Sequence, residues 1–175
     1  MADLAPTPSQ TIGPFFDIGF RWLTPEVVPD STEGAIRIEG RILDGHGDPI
    51  PDAVVEIFSA DRHGHFPKDT DPAWSGFGRS LSDESGRYYF VTVKPGAVAP
   101  GTAPHIDVSV FARGLLQRLV TRCYFSDEER ANADDALLGS IGRDRAQTLL
   151  ARPAEGTYRF DLHLQGDKET TFFAW

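Results

Sequence analysis

The sequence predicts an all-β protein: an antiparallel β-sandwich with an extended N-terminal arm and one or two short helices. Two observations carry this reading. Apolar and polar residues alternate with a period of two in several stretches, as strands buried on one face require. Clusters of Gly, Pro, Asp and Ser separate those stretches at short intervals. A third observation sets the arm apart: Pro6, Pro8, Pro14, Pro25 and Pro29 exclude a long regular element from residues 1–34.

The arm still holds Ile12, Phe15, Phe16, Ile18, Phe20, Trp22 and Leu23, too many large apolar groups for a disordered tail. It is expected to pack on its own body or on another chain. Residues 35–175 are expected to form the sandwich. Ile36, Ile38 and Ile42 share one face of the first strand, with Arg37, Glu39 and Arg41 on the other. Asp44-Gly45-His46-Gly47-Asp48-Pro49 is turn chemistry. Val54–Phe58 is the next strand, followed by a loop from Ala60 to Gly78. Ser82–Gly86 turns into a strand over Arg87–Val93, which Lys94-Pro95-Gly96 ends. His105–Phe111 alternates again, Leu119–Phe125 is another strand, and Tyr158, Phe160, Leu162 and Leu164 alternate near the end. Ser126 and Glu129 form a capping-box pattern for a short helix, and Arg143–Ala151 fits helix or strand.

Composition narrows the function. The chain has 175 residues, 17 Lys+Arg against 26 Asp+Glu, and a net charge of -9. At this length a single core suffices without metal or disulfide. One cysteine, Cys123, excludes a disulfide framework and a Cys-based zinc site, and its place in a strand makes it a small buried hydrophobe. An acidic chain without a Lys/Arg run is a poor partner for nucleic acid or anionic membrane. No basic, apolar leader opens the chain and no apolar run is long enough to span a bilayer, so a cytoplasmic protein is expected.

The residues alone do not reach a reaction. There is no nucleophile elbow, phosphate loop or H-E-x-x-H helix. His63 and His65 lie in a loop and are expected to be solvated. His105 and Asp107 share one strand face and could ligate a metal, or simply hydrogen-bond in a crevice. Arg113 ends a strand before Gly114 and could hold a carboxylate through two parallel hydrogen bonds, or be an ordinary surface arginine.

Several segments taken in order resemble the intradiol ring-cleavage dioxygenases. Thr7-Pro8-Ser9-Gln10-Thr11-Ile12-Gly13-Pro14 resembles the family's arm. Gly40–Gly45 with Pro49–Ile57 resembles its first hairpin. Phe77-Gly78-Arg79, Gly86–Phe90, Lys94-Pro95-Gly96, Pro104–Gly114, Thr121–Phe125 and Gln165–Thr170 follow in the family's order. Together they run from about Thr7 to Trp175.

Catalytic chains of that family hold Fe(III) with two Tyr and two His. Here Phe66 stands at the first Tyr position and Val98 at the second, while the "H-I-H" motif reads His105-Ile106-Asp107. Phe and Val offer no donor atom, and two remaining ligands are too few for a stable site. The resemblance therefore implies a non-catalytic alpha-type chain that binds no metal. Its homologous beta-type partner would hold the Fe(III), in a larger assembly of such pairs. The resemblance also implies that Thr11, Gly13, Pro14 and Arg113 of this chain wall a pocket for a small aromatic acid at the interface. Ile12 departs from the small residue usual there. Two other readings stand beside this one: a self-sufficient dioxygenase with unusual ligands, which Phe66 and Val98 oppose, and a non-enzymatic transthyretin-like binding sandwich, which the arm and the "F-A-R-G" segment oppose.

Overall fold

A computed structural model describes residues 6–13, 15–20, 25–68 and 74–174. Among the described residues, eight of nine strands form one continuous path, β3-β2-β5-β6-β7-β8-β1-β4, and the ninth, β9, pairs with β1 off it. One half is built on β1 (Ala35–Leu43), which pairs antiparallel with β4 (Arg87–Val93) from Ala35↔Val93 to Arg41↔Arg87. In the other half, β2 (Val54–Phe58) lies between β3 (Phe77–Leu81) and β5 (His105–Phe111), and β6 (Leu119–Phe125) borders β5. The two halves meet at β7 (Leu150–Ala154). Its Leu150 and Ala151 pair with β6, and its Arg152, Pro153 and Ala154 pair with β8 (Thr157–Arg159).

Both halves send side chains into one core. Ile38, Ile42, Tyr88 and Phe90 come from the β1–β4 pair, and Val55, Ile57, Ile106, Val108, Val110 and Phe125 from the other half. Burying each aliphatic or aromatic side chain of this size stabilises the fold by about 1.5–3 kcal/mol. A shared core between two sheet halves is the layering that the period-two pattern calls for.

Strands β2, β4, β5 and β6 occupy the spans the alternation predicts, and β1 extends the first by a residue or so at each end. Four features differ. First, pairing is mixed: β6–β7, β1–β8 and β1–β9 (Leu162–His163) are parallel. A parallel partner needs a long crossover, which residues 126–149 supply between β6 and β7. Second, that crossover holds three short helices, α2 (Glu129–Asp134), α3 (Ala136–Ser140) and α4 (Arg143–Gln147). The ambiguous Arg143–Ala151 stretch is thus helix first and strand after. The Ser126 capping box is not used, since Glu128 precedes α2 without a side-chain cap. Asp135 is the working cap, accepting from the amides of Leu137 and Leu138.

Third, β3 begins inside the predicted Ala60–Gly78 loop. Its Gly78 hides the strand, because a Cβ there would lie 2.8 Å from Val27 Cγ2. Fourth, the arm is not extended throughout: Phe15–Phe20 forms α1. Among the described residues no helix is long and apolar enough to cross a membrane.

Candidate functional site

The arm meets the end of β5. The Gly114 amide donates to Thr11 Oγ1 at 2.7 Å, and the Phe16 ring packs on Phe111 with centroids 5.3 Å apart. Gly13 accepts a hydrogen bond from the Phe16 amide at the start of α1, and a Cβ on it would meet nothing within 4 Å. Its missing side chain therefore serves no contact among the described residues. Ile12 is half-buried and lines a shallow recess with Phe111 and Leu116. Pro14 lies outside the described residues.

Arg113 follows β5 and stands beside this contact. Its Nη2 is 2.8 Å from Asp52 Oδ2 and its Nε donates to Asp52 Oδ1 at 3.3 Å. Asp52 has φ of 55°, a turn conformation that Asp tolerates, and this aims its carboxylate at Arg113. The pair is open to solvent, with the arginine side chain 56% exposed. Asp52 engages one edge of the guanidinium, so the remaining N–H donors are available to another acceptor. Thr11, Gly13 and Arg113 are thus brought to one end of the β2–β5 pair.

The metal-position residues gather at the other end of the same pair. Phe66 stacks on Phe58 with centroids 5.5 Å apart, and Phe58 is the cross-strand neighbour of Asp107. Val98 lies against the same loop system: a Cβ on Gly64 would sit 3.5 Å from Val98 Cα, and Gly96 N donates to Asp61 O. His105 is buried. Its Nδ1 is 2.8 Å from the Ala103 carbonyl and its ring lies 5.3 Å from that of Tyr124. Burial, reinforced by the Arg122 charge, holds the His105 pKa below the usual histidine value. Asp107 Oδ1 accepts from Arg122 Nε at 2.9 Å.

This donor set does not fit iron. Two of the four positions carry hydrocarbon, and the Asp107 carboxylate is already paired with a guanidinium. Among the described residues no group of three or more His, Cys, Asp or Glu could hold a metal ion. His63 and His65 are exposed, and their amides bond Asp61 Oδ1 in a loop turn.

Arg122, Tyr124, Asp52 and Phe58 were not singled out by sequence reasoning. Arg122 faces Asp107 only because of the β5–β6 register, and one sequence does not give register. Asp52 reads as an ordinary turn residue until Arg113 is placed over it.

Comparison with known proteins adds the following. Residues 26–166 match the family model described as "Dioxygenase". The chain is 37% identical to the protocatechuate 3,4-dioxygenase alpha chain of Burkholderia cepacia, over 99% of both chains. It is 34% identical to the protocatechuate 3,4-dioxygenase beta chain of the same organism, over 77% of this chain and 66% of that one. Among solved structures, the dioxygenase domain of a carbohydrate-binding fusion protein from Streptomyces sp. SirexAA-E superposes with a TM-score of 0.65 at 26% identity, covering 93% of this chain and 99% of that one.

Proposed function

The chain belongs to the intradiol ring-cleavage dioxygenases, and we propose that it is the non-catalytic alpha-type subunit of a two-chain enzyme acting on protocatechuate (3,4-dihydroxybenzoate). The observation that carries this reading is the donor set. Phe66 and Val98 offer no donor atom at two of the family's four ligand positions and Asp107 is paired with Arg122, in a chain that otherwise keeps the family's fold and arm. The enzyme would add both atoms of O₂ across the bond between the two hydroxyl-bearing carbons and yield 3-carboxy-cis,cis-muconate. The homologous beta-type partner would hold the Fe(III) and perform the electronic step. The assembly would contain several such pairs and reside in the cytoplasm.

This chain's own part is to bind and orient. Arg113 supplies a fixed cation for the substrate carboxylate, held on one edge by Asp52. A local cation matters because the net charge of -9 repels an anionic substrate at long range. Thr11 fixes the arm to the Arg113 turn through the Gly114 amide. Gly13, with open space where a Cβ would stand, and Pro14 form the wall that closes over a flat ring.

The test is metal and colour. The full chain is purified alone and then with its beta-type partner, and iron content and visible absorption are measured. The expected result is an iron-free, colourless chain and a coloured, active complex with one iron per pair. Stoichiometric iron in the chain alone would overturn the reading.

A further inference from the structure

Three observations converge on the strand face where the metal-position residues lie. Asp107 and Arg122 are cross-strand partners on β5 and β6, with Nε donating to Oδ1 at 2.9 Å. His105 and Tyr124 are the next pair along the same face. His105 Nδ1 is engaged by the Ala103 carbonyl at 2.8 Å, which leaves Nε2 as the acceptor nitrogen. That is the tautomer and anchoring a metal-ligating histidine uses. An imidazole in a ligand-ready state and a carboxylate thus lie on one strand face, with the Arg122 guanidinium hydrogen-bonded to the carboxylate.

We propose that Arg122 is a built-in counter-cation: its guanidinium pairs with Asp107 beside His105 and so bars metal cations from this chain. The inference deepens the proposed function, resting on it only for the expectation that the chain holds no iron.

The chemistry supports the role. A cation approaching Asp107 would have to displace a charge-assisted hydrogen bond and stand next to a fixed positive charge. Arginine does not deprotonate in proteins, so the barrier persists at every physiological pH, which a histidine would not provide. The Asp107 carboxylate and the nearby Tyr124 hydroxyl outweigh burial and keep the Arg122 charge favoured. Phe58 and Phe66 stack alongside, and among the described residues Arg122 is the cation paired with Asp107. Loss of the two tyrosines would remove iron's anchors, and Arg122 closes what remains to other metals as well.

The test is Cu(II) titration of the full chain, read by paramagnetic resonance. In R122Q, one Cu(II) per chain is expected to bind at least tenfold more tightly than at any site of the wild type, with a nitrogen-coupled signal. The gain should vanish in R122Q/D107N and in R122Q/H105Q. Exposed His46, His63 and His65 are common to all variants and cancel in the comparison. R122M, similar in volume but neutral, is read in the same way should R122Q fail to fold. R122K keeps the charge and the reach to Asp107, and is expected to bind copper as the wild type does. Wild-type copper binding in the neutral variants, or the new site appearing in R122K, would overturn the inference. Iron in the unaltered chain would overturn the proposed function instead, so the two failures are distinguishable.

Discussion

Arg113 and Asp52 form a two-contact ion pair that is largely open to solvent, and exposed pairs contribute about 1 kcal/mol or less to stability. Their fold-stabilising role is therefore small, which separates it from a role in substrate binding. Arg113→Ala is therefore expected to leave the melting temperature of the isolated chain within a few degrees of wild type. Once a partner chain desolvates the site, losing one member of a buried charge pair costs about 2–5 kcal/mol. The loss of kcat/KM is therefore expected to fall on protocatechuate, by about thirtyfold or more, and to be much smaller for catechol, which lacks the carboxylate. Steady-state kinetics with both substrates measures this. Equal losses would make Arg113 a structural residue. Asp52 and Arg113 come together only through the turn at Asp52, so the pair was invisible in the sequence even though Arg113 itself was not.

At the scale of elements, β1 is the strand on which the rest of its sheet half depends. It pairs with β4 on one side and with β8 and β9 on the other. Gly40 makes that crowding possible. A Cβ there would lie 1.8 Å from the Phe160 carbonyl oxygen and 3.1 Å from Tyr88 Cε1, and the Tyr88 hydroxyl donates to that same carbonyl. Backbone cannot yield as a flexible side chain would. Gly40→Ala is therefore expected to destabilise the chain by about 3 kcal/mol, at the upper end of overpacking costs. The urea midpoint measures it, and an unchanged midpoint would refute the close approach. The strands that alternate cleanly were legible for the same reason that β1 is central: one face of each is buried. What was not legible has equally local causes. Gly78 broke the β3 pattern because Val27, Ile57 and Phe90 fill the space of its side chain. The Asp135 cap escaped notice because its value lies in three backbone amides, those of Leu137, Leu138 and Ala103, the last 32 residues away. Phe66, Val98 and Asp107 were legible as lost ligand positions beside the retained His105, whereas Arg122 as a counterweight required the register of β6 on β5.

Across the whole molecule, an excess of acidic groups strains the compact state through self-repulsion, and Lys94 offsets part of it at a junction of three elements. Its Nζ is 3.0 Å from Asp127 Oδ2 and 2.6 Å from Glu128 Oε1, and it lies over the rings of Phe125 and Tyr158. Tyr158 also donates to Asp127 Oδ2, so the end of β4, the start of the crossover and β8 are tied together. Burial works against the Lys94 charge, but the bonds to Glu128 and Asp127 outweigh it and hold its pKa above the ordinary lysine range. Burial likewise works against the Asp127 charge, and the Tyr158 and Lys94 bonds outweigh it and hold its pKa below the usual aspartate value. A raised lysine pKa contributes stability that is complete below the ordinary lysine pKa and is lost as pH rises through the raised one. A lowered aspartate pKa contributes stability that is complete above the ordinary aspartate pKa and is lost as pH falls through the lowered one. Lys94→Met, which keeps the apolar stem over the rings, is therefore expected to cost about 1 kcal/mol, or about 2–4 °C in melting temperature for a chain of this size. That difference should stay constant between about pH 5 and pH 9 and narrow outside this window at both extremes. Thermal melts of both chains across the pH range measure it. A difference that stayed the same at both pH extremes would show that the contribution of Lys94 does not lie in its charge.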